Sequence, residues 1–151
     1  MKRRAWLIAA LLGIALVAAG VWVGLTVRRA ARQLLDAEDR LYATILTCEL
    51  VSDYLKRTGF ASWPRSWEDL RALPARDGGP FRWPEDEQRL QALVVVEFGV
   101  RLDEIARQGA DTFRAIRPNG PAASIYLDVG VAPLLSDIHD HAKRVQETPR
   151  E

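Results

Sequence analysis

Hydrophobic and polar positions divide the chain unevenly. Residues 5–27 (AWLIAALLGIALVAAGVWVGLTV) contain no charged side chain. A helix of that length rises about 34 Å, enough for a hydrocarbon core of roughly 30 Å. The pattern predicts a transmembrane helix over 5–27 behind a basic stub, residues 1–4 (MKRR). Trp6 and Trp22 stand near its ends, where interfacial anchors sit. A cleaved signal peptide is the competing reading, with Ala18-Ala19-Gly20 as its small-residue cleavage site. Signal-peptide apolar cores run about 7–15 residues, so the length favours a retained anchor.

From Arg28 the pattern changes to that of an amphipathic helix, expected over 28–58. It contains no Pro or Gly before Gly59. Leu34, Leu41, Cys48 and Leu55 recur every seven residues, with Ile45 and Val51 alongside. Leu46, Leu50 and Tyr54 widen the stripe beyond a two-stranded seam. So broad a face is expected to pack on its own domain, burying Cys48. Thr58-Gly59 supplies the stop.

The remainder predicts a small α+β domain over 59–146 and a flexible tail over 147–151. Ser66 and Asp69 have the spacing of a capping box for a short helix stopped by Pro74. Residues 74–84 (PARDGGPFRWP) read as a loop. Trp63-Pro64, Leu70, Ala72 and Leu73 are echoed twenty positions later by Trp83-Pro84, Leu90, Ala92 and Leu93. Two similar chain entries explain this more simply than a repeat array, which needs three or more copies. Residues 92–102 (ALVVVEFGVRL) carry the clearest strand signal. Residues 113–117 and 124–129 predict two further short strands, and 132–146 a final helix. The fold class expected is therefore α+β: a transmembrane helix continuing into a long amphipathic helix packed on a small, mainly antiparallel sheet.

Charge changes the picture in two places. The 151 residues carry 21 Lys and Arg against 20 Asp and Glu. Lys2, Arg3 and Arg4 precede the apolar run, so 28–151 holds 18 basic against 20 acidic side chains, a net −2. That balance gives no field suited to a polyanion and argues against nucleic acid. The positive flanks nearly tie, with Lys2, Arg3 and Arg4 before the span and Arg28, Arg29 and Arg32 after it. The short leading segment favours an N-terminus in the cytoplasm and an extracytoplasmic domain at the inner membrane. Cys48 is the single cysteine, so no internal disulfide forms.

The layout resembles that of type IV pilins and secretion pseudopilins: a basic start, an apolar span running into a long helix, Tyr54-x-x-x-x-Gly59 with Trp63-Pro64 after it, then a small sheet. The family's processing glycine and intramembrane glutamate have no counterpart, since Arg4-Ala5-Trp6 stands there and 1–27 contains no acid. The resemblance implies a structural or assembly role without implying the family's processing.

Candidate chemistry is sparse. Asp137, His139, Asp140 and His141 hold both histidines of the chain. On a helix Asp137 and His141 share a face, while His139 points elsewhere. A hydrolase built on this cluster is the alternative function, but zinc needs three convergent ligands and a solvated helix face is the simpler reading. Trp63, Trp67 and Trp83, near Phe81, form an aromatic cluster that serves either as a ligand platform or as core. No catalytic residue, cofactor or metal ligand is assigned. The partners expected are the lipid bilayer and either a second copy or other envelope proteins. Gly20 and Gly24 offer the helix–helix contact, a G-x-x-x-G pair that lets two backbones approach.

Overall fold

The computed structural model describes residues 2–120 and 127–147, with the side chains of 2–19, 29–34 and 146–147 outside the described set. In chain order the elements are α1 (Lys2–Arg57), α2 (Trp67–Arg71), β1 (Arg76–Gly78), β2 (Phe81–Trp83), α3 (Glu87–Leu93), β3 (Val94–Val96), α4 (Leu102–Ile105), β4 (Ile116–Pro118), a π-helical turn (Leu127–Val131) and α5 (Ala132–Glu147). The fold is α+β, and its described strands form two separate antiparallel pairs, β1–β2 and β3–β4. The chain divides into two compact units, Met1–Asp36 and Ala37–Glu151.

The first unit is helical throughout its described residues. Val21, Trp22, Val23, Leu25 and Val27 are exposed. Thr26 returns its hydroxyl to the carbonyls of Trp22 and Val23, which removes a polar group from this apolar stretch. Among the described residues no helix is long and apolar enough to cross a membrane. The expected span 5–27 has the side chains of 5–19, Trp6 included, outside that set.

The second unit is organised around the last turns of α1. Ala43, Leu46, Cys48, Leu50, Val51 and Leu55 are all buried, and Leu41 and Ile45 are half-buried. Leu34 lies outside the described side chains. Thr44 and Thr47 also enter the core. Each donates its hydroxyl to the carbonyl four residues back, Arg40 and Ala43, at 2.7 Å, so neither brings an unmet donor inside. The helix ends in a Schellman motif. Phe60 N–H donates to Leu55 O at 2.7 Å and Gly59 N–H to Lys56 O at 3.3 Å.

The two Trp-Pro sites lead in comparable ways into short helices. Trp63 and Trp83 are buried, as are Leu70 on α2 and Leu90 on α3, each seven residues on. Trp63 Nε1–H donates to Glu97 O at 2.8 Å, tying the first entry to the end of β3. Ser66 stands at the N-cap of α2 but makes no side-chain cap. Asp69 reaches back instead, and its carboxylate accepts the Arg65 N–H at 2.7 Å.

Several elements differ from the sequence expectation. Residues 74–84 hold the β1–β2 hairpin, with Arg76 opposite Trp83 and Gly78 opposite Phe81. Its tip is shaped by contact with α1: Gly79 has φ +57, and a Cβ there would lie 2.5 Å from the Tyr42 ring. The strand expected over 92–102 shrinks to Val94–Val96. Residues 92–93 belong to α3, Gly99 turns the chain at φ +71, and Leu102 opens α4. The short ladder has a cause in its partner. Among the described residues only Ile116–Pro118 lies alongside β3: Asn119 N–H donates to Leu93 O at 2.7 Å before the start of β3, and Glu97 N–H donates to Ala115 O at 2.8 Å after its end, just ahead of the turn at Gly99. Of the strand expected over 124–129, residues 124–126 lie outside the described residues, and 127–129 begin the π-helical turn.

Candidate functional site

A concavity of the second unit lined by several charged side chains lies between α1, β1, the π-helical turn and α5. It has a volume of about 260 Å³, and its charged lining comes from Glu49, Asp53, Lys56, Arg76 and Asp137. Helical spacing brings Ser52 and Lys56 to one stripe of α1, four residues apart. Ser52 Oγ donates to Asp137 Oδ2 at 2.7 Å, and Lys56 Nζ lies 2.8 Å from the same oxygen. Arg76 Nη1 meets Asp53 Oδ2 at 2.7 Å, and its Nε lies 3.6 Å from Glu49. Burial pulls the Asp137 carboxyl upward. The hydrogen bonds from Lys56 and Ser52, with the charges of Lys56 and Arg144, outweigh it and hold the group below the usual carboxylate range.

This arrangement has a chemical consequence. A carboxylate held low is a weak base, so Asp137 is poorly placed to take a proton from Ser52. Lys56 answers Asp137 and Arg76 answers both Asp53 and Glu49 across the concavity, which makes it a clamp joining α1 to β1 and α5. The floor is Gly130, where a Cβ would lie 3.2 Å from Ile45 Cα and 3.5 Å from Cys48 Sγ. Cys48 is 1 % exposed; burial and the Glu49 charge push its thiol up, away from reactive thiolate.

The 137–141 cluster is dispersed by these contacts. Asp137 turns to Ser52 and Lys56, while His141 stacks on Phe60 with ring centroids 4.5 Å apart and planes 10° from parallel. His139 is half-buried, Asp140 exposed. Among the described residues no group of three His, Cys, Asp or Glu is placed to hold a metal ion.

The aromatic cluster is brought together, but inward. Trp63 and Trp83 are 2 % and 1 % exposed and present no open face. Trp67 is half-buried, 6.2 Å from Trp83 and edge-on to Phe98 at 5.8 Å. Gly20 and Gly24, in the first unit, have nothing within 4 Å of a built Cβ.

Ser52, Asp53, Lys56 and Arg76 were not singled out by sequence pattern. Their only signal is a polar notch, Ser52-Asp53 and Lys56, within an otherwise apolar stretch of helix. Arg76 comes from a segment that reads as loop. No family model, curated protein or solved structure matches the chain.

Proposed function

We propose that this is a single-pass membrane protein of the cell envelope, in which the apolar run 5–27 anchors a structural or interaction module. The observation that carries this is the uncharged run itself, contained within the helix Lys2–Arg57. The exposed apolar side chains from Val21 to Val27 support it, because such a band is costly in water and favourable in lipid. In this reading the N-terminus is cytoplasmic and the folded unit extracytoplasmic, and Gly20 and Gly24 supply the close approach for any helix pairing within the bilayer. The pilin-like layout belongs to the same proposal, as a scaffold role without the family's processing site. Paired charges in the polar concavity and inward-facing tryptophans favour a structural module over an enzyme.

The test is membrane extraction. The full chain should stay in the pellet after an alkaline carbonate wash and dissolve only with detergent. A soluble mature form beginning near Val21 would overturn the anchor and establish a cleaved signal peptide.

A further inference from the structure

Two neighbouring cavities of the second unit share one wall. The first, about 290 Å³, is predominantly apolar, with Leu102, Ala106, Ile138, Ala142 and Val145 along it. The second, about 410 Å³, contains Ser62, Arg65 and Arg101. Phe60, Leu102 and Asp103 line both. Each volume is near the lower end of the range for small-molecule sites, about 300–1,000 Å³, so a ligand of ordinary size would extend through both.

The shared wall carries backbone strain. Phe60 has φ 58, a left-handed conformation that costs a side-chain-bearing residue roughly 1–2 kcal/mol. Gly59 alone would satisfy a usual helix stop, so the second left-handed residue goes beyond what the cap requires. Its effect is to set the Phe60 ring against His141 at the border of the two cavities. Non-glycine residues held in this way concentrate at ligand clamps and switch regions.

The charges indicate the chemical class. Arg101 is engaged by Asp103, through Nε at 2.9 Å and Nη2 at 3.0 Å. Arg65 is exposed, and its guanidinium has no ion-pair partner among the described residues. The nearby Asp69 carboxylate is taken up by the Arg65 backbone N–H. The result is an exposed cation on the lining of a polar cavity, with an apolar trough on the other side of Phe60 and an exposed aliphatic side chain at Val145.

We propose that the two cavities form one binding site for a small anionic amphiphile, its acidic head at Arg65 and its alkyl chain past Phe60 along Leu102, Ile138 and Val145. The site does not depend on the membrane anchor; a soluble fatty acid and an acidic lipid present the same head and chain. Charge and chain contribute separately. Removing the Arg65 charge weakens the head contact alone, and each added methylene that finds cover in the trough tightens binding by about fourfold at most.

The experiment uses the full chain in non-ionic detergent, with methyl NMR shifts of Leu102, Ile138 and Val145 read during titration with hexanoate, octanoate, octanol and octyltrimethylammonium. Saturable shifts at all three methyl groups are expected with octanoate, stronger than with hexanoate, and at least tenfold weaker affinity for octanol and for the cationic amphiphile. Arg65→Gln, an exposed substitution that leaves the core intact, should reduce octanoate affinity to that of octanol. A short anionic vesicle lipid titrated in place of octanoate distinguishes the sources: competition between the two means one site takes either, and octanoate alone means a free acid. Equal binding of octanoate and octanol, an unchanged Arg65→Gln titration, or non-saturating shifts would each overturn the proposal.

Discussion

Arg71 on α2 holds Glu87 on α3 with two parallel hydrogen bonds, Nε to Oε2 at 2.7 Å and Nη2 to Oε1 at 2.9 Å. Gln91 adds a third at 2.7 Å, and Glu68 meets the far side of the same guanidinium. The two helices that follow the two Trp-Pro entries are thereby joined through one buried carboxylate.

Glu87 therefore ties stability to pH. The hydrogen bond from Arg71 is the largest influence and holds the carboxyl below its usual range, against the opposing effect of burial. A depressed folded-state pKa contributes stability that is present above the unfolded value and lost as pH falls through the folded one. Glu87→Gln should lower the melting temperature at pH 7, and the difference from the native chain should shrink as pH falls below the usual carboxylate range and the native carboxyl takes up its proton. Thermal melts of both proteins across pH 2–7 check this. Curves that stay parallel at all pH values would show that the ion pair is not the source.

Trp63 makes a separate prediction. Its indole N–H meets the Glu97 carbonyl at 2.8 Å, and its ring packs edge-on to Phe113 with centroids 6.4 Å apart. Trp63→Phe keeps most of the apolar contact but removes the donor and leaves a smaller ring. The expected cost is about 1–3 kcal/mol in urea unfolding, of which the hydrogen bond supplies roughly 0.5–1.5 and the lost ring contacts the rest. Trp83 offers the control. Its buried Nε1 has no hydrogen-bond partner, so Trp83→Phe loses packing alone and should cost less than the same change at position 63.

These two tryptophans also show what was legible in the sequence. The Trp-Pro echo and the leucines seven residues on marked real chain entries, and the part of the broad face from Leu41 to Leu55 marked the element that organises the core. Residue spacing could carry that much because helical periodicity is local. Strand limits were not local. Val94–Leu102 has β-branched alternation, but its ladder runs only as far as β4, Ile116–Pro118, lies alongside, a fact located in another segment. The hairpin in 74–84 was hidden because Asp77-Gly78-Gly79-Pro80 spells a turn while its flanking strands are only three residues each. The polar concavity escaped for a similar reason: Arg76 meets Asp53 across a sequence gap that no motif spans.

Gly79 tests whether the hairpin tip is shaped by φ or by contact. Gly79→Ala meets both penalties, a left-handed backbone at roughly 1–2 kcal/mol and a ring 2.5 Å away. Tyr42→Ala removes the ring and leaves the backbone. If both matter, Gly79→Ala should destabilise measurably less in the Tyr42→Ala background than in the native chain. A double-mutant cycle of denaturant midpoints measures the difference, and an additive cycle would mean that Tyr42 yields freely.

Cys48 connects the fold to the question of assembly. Its thiol is 1 % exposed, its Sγ faces Gly130, and burial pushes it toward the neutral form. Of the heptad-spaced positions, Cys48 and Leu55 belong to the chain's own core. In intact membranes Cys48 should react with a maleimide reagent only at the rate of unfolding and become fully reactive once the fold is melted. Gly130→Ala should accelerate that reaction, since a methyl group 3.2 Å from Ile45 Cα forces α1 and the π-helical turn apart at a cost of about 1–3 kcal/mol. Any self-association would then reside in 5–27 and be weakened by replacing Gly20 and Gly24 with Ile. Rapid Cys48–Cys48 crosslinking under mild oxidant would instead mean that this face opens to a second copy, and the packing of α1 onto its own domain would have to give way to a parallel coiled coil.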